Sequence, residues 1–207
     1  MTDMVILFIS YFTQLLAIMN PFSAIPTFIS LTEGLSHVDR VNIVKKAYLA
    51  GLTILISFTL IGKYILEAFN VSLPGLRVGG GIILMTIALD MLGEMPRTKQ
   101  VNPGDIAVVP IATPLIIGPG TITTVLLLTS TDSSPINILL VFVSGLVACT
   151  ATFAILLVSD RLVRYLKVST VKAIGRFMAL IIAGVAVEMI ALGVSQYFRE
   201  LSLCHCP

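Results

Sequence analysis

The chain has 207 residues, 57% of them hydrophobic and 12% charged, with a mean hydropathy of +1.02 and a formal net charge of +2. Soluble domains carry roughly 25% charged residues, so this composition excludes a cytosolic enzyme and a secreted disulfide scaffold, and the near-neutral balance excludes a nucleic-acid-binding module. A membrane β-barrel is excluded as well, because its strands alternate apolar and polar residues, whereas Ile138 to Val158 is apolar with only small or hydroxyl interruptions.

A helix spans a bilayer with about 20 apolar residues, and the hydropathy predicts six such spans. They run from Met4 to Thr32, Ala47 to Leu66, Leu76 to Gly93, Ile106 to Thr131, Ile136 to Val158 and Ile174 to Gln196. The connectors between them, Gly34 to Lys46, Glu67 to Gly75, Glu94 to Asp105, Asp132 to Pro135 and Ser159 to Ala173, are rich in charge, Pro, Gly, Asn or Ser. Residues 1–207 thus read as one all-α transmembrane domain embedded in a lipid bilayer, with a short tail over 199–207. Cytoplasmic loops retain Lys and Arg. Ten of the thirteen basic residues lie on the first, third and fifth connectors with the adjoining helix end, and only Lys63, Arg77 and Arg199 lie on the other side. Both termini are therefore expected outside the cytoplasm, at the cell inner membrane. No Lys or Arg precedes Arg40, so the first span is expected to be retained rather than cleaved as a signal.

The first and fourth spans are longer than a bilayer needs, and each is interrupted. The interruptions read Asn20-Pro21-Phe22-Ser23-Ala24-Ile25-Pro26 and Thr113-Pro114-Leu115-Ile116-Ile117-Gly118-Pro119-Gly120, each with two prolines five apart. Proline removes a helix-interior hydrogen bond and clashes with the preceding turn, yet fits the first helical position. The second proline of each pair, Pro26 and Pro119, is thus expected to open a new half-helix, after preceding half-helices that end near Met19 and Ala112. Pro21 and Pro114 lie 93 positions apart, and Ile87-Ala88-Leu89-Asp90-Met91 matches Val185-Ala186-Val187-Glu188-Met189 at 98. This points to two three-helix repeats, about 1–98 and 103–198, which an odd helix number forces into opposite membrane topology. Unwound backbone is tolerated at membrane depth only where protein or a watery cavity satisfies it. The breaks therefore face inward, with helix N-termini that attract an anionic group and carbonyl ends that attract a cation. Together they suit a small zwitterion; two proline-kinked packed helices are the structural alternative.

At these residues the chain resembles the MarC family of inner-membrane proteins over nearly its whole length. The resemblance rests on Asn20 to Pro26, on Gly79-Gly80-Gly81-Ile82-Ile83 with Ile87-Ala88, and on the string from Val109 to Gly120. Gly175-Arg176-Phe177-Met178-Ala179-Leu180 is similar to a further family pattern, with Ala179 in place of a glycine. The resemblance implies a transporter of small neutral amino acids such as glycine or alanine, built as six helices in two inverted repeats with the first and fourth helices broken. It implies a substrate site framed by Asn20, Pro21, Ser23 and Ala24 from one break and by Thr113, Pro114, Gly118, Pro119, Gly120 and Thr121 from the other.

Asp90 and Glu188 are the acids nearest membrane depth, where ionisable groups are costly and mark function; either is a candidate to couple transport to protons or sodium. Arg77 and Arg176 open the third and sixth spans, where basic residues commonly anchor helix ends. Cys149 reads as a buried free thiol, and Cys204-His205-Cys206 lacks the paired spacing of a zinc site. The histidines are His37 and His205, so no intramembrane Ser-His pair exists, and no phosphate-binding loop is present. The expectation is a secondary transporter without enzymatic activity, cofactor, metal or nucleic-acid partner. A channel or an exporter of another small polar solute is the alternative, and a homo-oligomer is compatible with the sequence.

Overall fold

The computed structural model describes residues 2–32, 34–93 and 117–204. Thr113 and Pro114, the first half of the expected fourth span and most of the third connector lie outside them. Among the described residues all regular structure is helical: α1 (Thr2–Met19), α2 (Pro21–Leu31), α3 (His37–Ala68), α4 (Leu73–Leu92), α5 (Pro119–Thr131), α6 (Pro135–Leu157) and α7 (Ser159–Cys204). Five segments are long and apolar enough to cross a membrane: Asp3–Pro26, His37–Ala68, Leu73–Leu92, Pro135–Leu157 and Ser169–Arg199. Only 22% of the apolar part of α3 is buried, and Leu60, Ile82, Leu139, Phe177 and Leu180 face outward. An apolar exterior of this extent calls for lipid rather than water.

Serine starts three of the helices. The side chains of Ser36, Ser72 and Ser134 accept hydrogen bonds from the backbone N–H of Asp39, Gly75 and Asn137, satisfying donors that a helix start otherwise leaves open. At Ser36 the hydroxyl also donates to Asp39 Oδ2 at 2.6 Å, a reciprocal cap that starts α3 at His37, ahead of the expected Ala47. The fifth connector is not a loop. α6 ends at Leu157, Val158 is the joint, and α7 runs from Ser159 through the whole basic stretch. The residues from Ser159 to Ile174 include no Gly or Pro, and charged side chains sit well on a helix, so nothing breaks it. A third correction concerns the first break. α2 begins at Pro21 and carries Pro26 in its interior, so the new half-helix opens at the first proline of the pair.

Side-chain contacts fix the helix directions. Ser144 Oγ donates to the Phe8 carbonyl at 3.4 Å and Thr152 Oγ1 approaches Met19 Sδ at 3.9 Å, so α1 and α6 run the same way. Gly51 sits against Ile117 and Gly62 against Leu126, which makes α3 parallel to α5. α3 opposes α6, with Gly145 against Leu55 and Tyr48 against Thr150 and Phe153. α4 opposes α7 in the most extensive helix pair; a Cβ on Gly81 would stand 2.8 Å from the Ala186 carbonyl, and one on Gly193 would stand 2.9 Å from that of Pro74. Two apolar clusters result. One joins α1, α2, α3 and α6 around Leu15, Met19, Ile25, Leu55, Val141 and Phe153, with Val125 of α5 and Val171 of α7. The other joins α4, α5 and α7 around Leu84, Ala88, Leu127, Ile182, Ala186 and Met189, with Ile18 of α1 as its only member from that helix.

Candidate functional site

The joint between α1 and α2 is a single residue. Asn20 donates its N–H to the Leu16 carbonyl at 3.0 Å, completing α1, then turns the chain with φ +38. Asparagine tolerates this left-handed conformation better than most residues. Its side-chain oxygen then accepts the Ser23 N–H at 3.3 Å, capping α2. One residue thus ends one helix and starts the next, and Pro21 supplies the fixed φ that a first helical position favours. Asn20 is 4% exposed, and among the described residues its amide nitrogen meets only Met91 Sδ, at 3.8 Å. A thioether is a weak acceptor, so the amide keeps donor capacity that a ligand can use. Ser23 is half-buried with its hydroxyl toward Gly175, where an added Cβ would lie 2.8 Å from Ser23 Oγ. Ala24 is buried in the apolar core at the base of α2.

The second break is built differently. Gly118 precedes α5 in an extended conformation and no side chain caps the helix start. Pro119 takes the first position and Ile122 N–H returns to the Gly118 carbonyl at 3.1 Å. Gly120 is closely packed. A Cβ there would stand 2.7 Å from Leu84 Cδ2, 3.2 Å from Ile87 Cδ1 and 3.4 Å from Ile18 Cγ2. Ile18 lies two residues before Asn20, so the first break and the start of α5 lie side by side against α4. Thr121 is buried at 2% exposure. Thr123 and Thr124, small polar residues of the same segment, donate to the Pro119 and Gly120 carbonyls at 2.8 and 2.9 Å. Their hydroxyls are spent on their own helix.

Asp90 and Glu188 occupy separate places. Asp90 adjoins Met91, the residue Asn20 reaches, and its Oδ1 is buried without a hydrogen-bond partner among the described residues. Glu188 lies level with Gly81, by the contacts of Gly81 with Ala186 and Ile190, and hence on the order of 14 Å from Asp90 along α4. It lines a cavity of about 390 Å³ with Gln14 of α1, Arg77 of α4 and Leu127 of α5. Gln14 carries no signal in the sequence: it is one amide in an apolar run, and its neighbours come from three other elements. Cys149 is buried and free. His205 and Cys206 lie outside the described residues, as does Ala112.

A helical protein with so extensive an apolar exterior is an integral membrane protein. Residues 5–198 match the MarC family integral membrane protein, and the chain belongs to that family. A UPF0056 membrane protein of Methanocaldococcus jannaschii is 33% identical, covering 90% of this chain and 95% of the relative. UPF0056 membrane protein YvbG of Bacillus subtilis is 32% identical over 92% of this chain and 95% of its own length, and a UPF0056 membrane protein of Aquifex aeolicus is 30% identical over 97% and 98%. No solved structure matches the chain.

Proposed function

We propose that the chain is a secondary transporter that moves small neutral amino acids, such as glycine or alanine, across the inner membrane by alternating access. The observation that carries this reading is the meeting of the two breaks: the buried, left-handed Asn20 joint and the uncapped start of α5 lie side by side through Ile18 and Gly120. Asn20, Pro21, Ser23 and Ala24 frame one side of the substrate site. Gly118, Pro119, Gly120 and Thr121, with Thr113 and Pro114 of the same segment, frame the other. The Gly120 N–H at the start of α5 and the Asn20 amide suit a carboxylate, and the small residues Ser23, Ala24, Gly118 and Gly120 at the breaks suit a small substrate.

The packing supports two inverted repeats within a single domain. α1 lies parallel to α6 as α5 lies parallel to α3, and α2 packs on α7 as α5 packs on α4. α3 against α6 and α4 against α7 are antiparallel pairs across the halves. Exchange of partners of this kind is what two inverted copies of three spans require. On this reading both termini lie outside the cytoplasm, and Asp90 and Glu188 are the candidates for ion coupling. The test is uptake of labelled glycine and alanine into liposomes holding the purified protein, with and without proton or sodium gradients. Saturable uptake that follows one gradient is expected and names the coupling ion. Flux that does not saturate identifies a channel, and no uptake of either amino acid by folded protein overturns the substrate.

A further inference from the structure

The cavity beside Glu188 carries a second site. Its polar groups are a guanidinium, a carboxylate and an amide, from Arg77, Glu188 and Gln14, and its walls include Leu127, Val185 and Met189. Each charge is costly at membrane depth unless it is hydrated or paired. Arg77 and Glu188 share the space, yet no ion pair joins them among the described residues. Their levels follow from the α4–α7 register: Arg77 faces Gly193 while Gly81 faces Ala186 and Ile190, so the backbones of Arg77 and Glu188 stand about one turn apart along the helix axes, roughly 6 Å. Two opposite charges rooted one turn apart on facing helices, and not paired with each other, suit a molecule that carries both, its carboxylate toward Arg77 and its ammonium toward Glu188.

The cavity is also connected to the breaks. Leu127 and Met189 belong at once to its wall and to the cluster containing Ile18 and Leu84, and those two residues abut Gly120. A plug of four apolar side chains therefore separates the cavity from the joint at Asn20. We propose that this cavity is a vestibular site that captures a small zwitterionic amino acid before it reaches the breaks, with Arg77, Glu188 and Gln14 as its recognition groups. The identity of the ligand rests on the transport reading; the cavity and its oppositely charged lining do not.

Gly184 lines the same cavity, and an added Cβ there meets nothing within 4 Å, so Gly184→Cys places a thiol in it without disturbing the packing. With Cys204 and Cys206 changed to serine and the buried Cys149 retained, the protein in liposomes is exposed to a membrane-impermeant thiol reagent. Labelling is expected, slowed at least threefold by alanine but not by acetate or ethylamine at the same concentration, and the protection should disappear with Arg77→Gln or Glu188→Gln. Absence of labelling would mean that the cavity faces lipid, and labelling that alanine leaves unchanged, or that acetate slows equally, would mean that no zwitterion site exists; either overturns the proposal. Uptake by the unmodified protein is scored separately. Protection without uptake leaves the site standing and removes the transport reading, and uptake without protection does the reverse.

Discussion

The two breaks begin with similar sequence and end with different structure. In the first, the new helix opens at the first proline of the pair, Pro21; in the second, α5 opens at the second proline, Pro119. What differs is the residue in front. Asn20 adopts a left-handed turn and caps α2 with its own side chain, whereas Gly118 is extended and provides no cap. A helix start that caps itself is held by the protein alone, while an uncapped start leaves N–H donors for whatever enters. On the proposed reading the first break serves positioning, with one amide donor toward the substrate, and the second serves binding.

The largest expected effect comes from closing the gap between the breaks. Gly120→Leu would drive its side chain into Leu84, Ile87 and Ile18. Overpacking of this kind costs about 1–3 kcal/mol, and amino-acid uptake should fall below detection while Gly79→Leu, at a position with nothing within 4 Å, transports normally. Uptake by a folded Gly120→Leu protein would break the comparison.

Substitutions at Asn20 separate its two tasks. Asn20→Asp retains the acceptor for Ser23 N–H but loses the amide donor, so thermal stability should hold while uptake drops on the order of tenfold, as loss of a ligand hydrogen bond of about 1.4 kcal/mol would give. Asn20→Ala should lose the cap as well, at about 1 kcal/mol, lowering the melting temperature by roughly 2–4 °C for a chain of this size. Equal melting temperatures for the two variants would remove the capping role. Glu188→Gln is expected to flatten the dependence of uptake on a proton gradient, measured with internal and external pH varied independently; an unchanged dependence shifts the coupling role to Asp90. The smallest effect belongs to Gly118→Ser. A serine cap on α5 should raise stability by only a few tenths of a kcal/mol and raise the apparent KM for alanine about twofold, because its hydroxyl competes with the substrate for the Gly120 N–H.

The helical class and most spans were legible because apolar runs and Pro, Gly or Ser punctuation set them directly. α4 at Leu73–Leu92 and α6 at Pro135–Leu157 fall within a few residues of expectation. The basic stretch after Val158 has the charge of a loop, although nothing in it opposes a helix, and it forms the start of α7. At the first break the sequence places the new helix at Pro26, one proline later than α2 begins. Proline marks where a helix is strained, and at the first break the cap supplied by Asn20 sets where the next one begins. Gln14 and its cavity were illegible for a different reason: their meaning depends on α4 and α7 being brought beside α1, which no local pattern encodes.

The central claim is that the two breaks form one substrate site, and a reversible cross-link between them tests it most directly. In protein with Cys204 and Cys206 changed to serine, Ile18→Cys and Gly120→Cys would place two thiols where Ile18 and Gly120 now adjoin. The account predicts that mild oxidant joins them, that alanine slows the joining several-fold, and that exchange of labelled alanine stops until reductant is added. A pair that joins at the same rate with and without alanine, and continues to exchange alanine once joined, would contradict it.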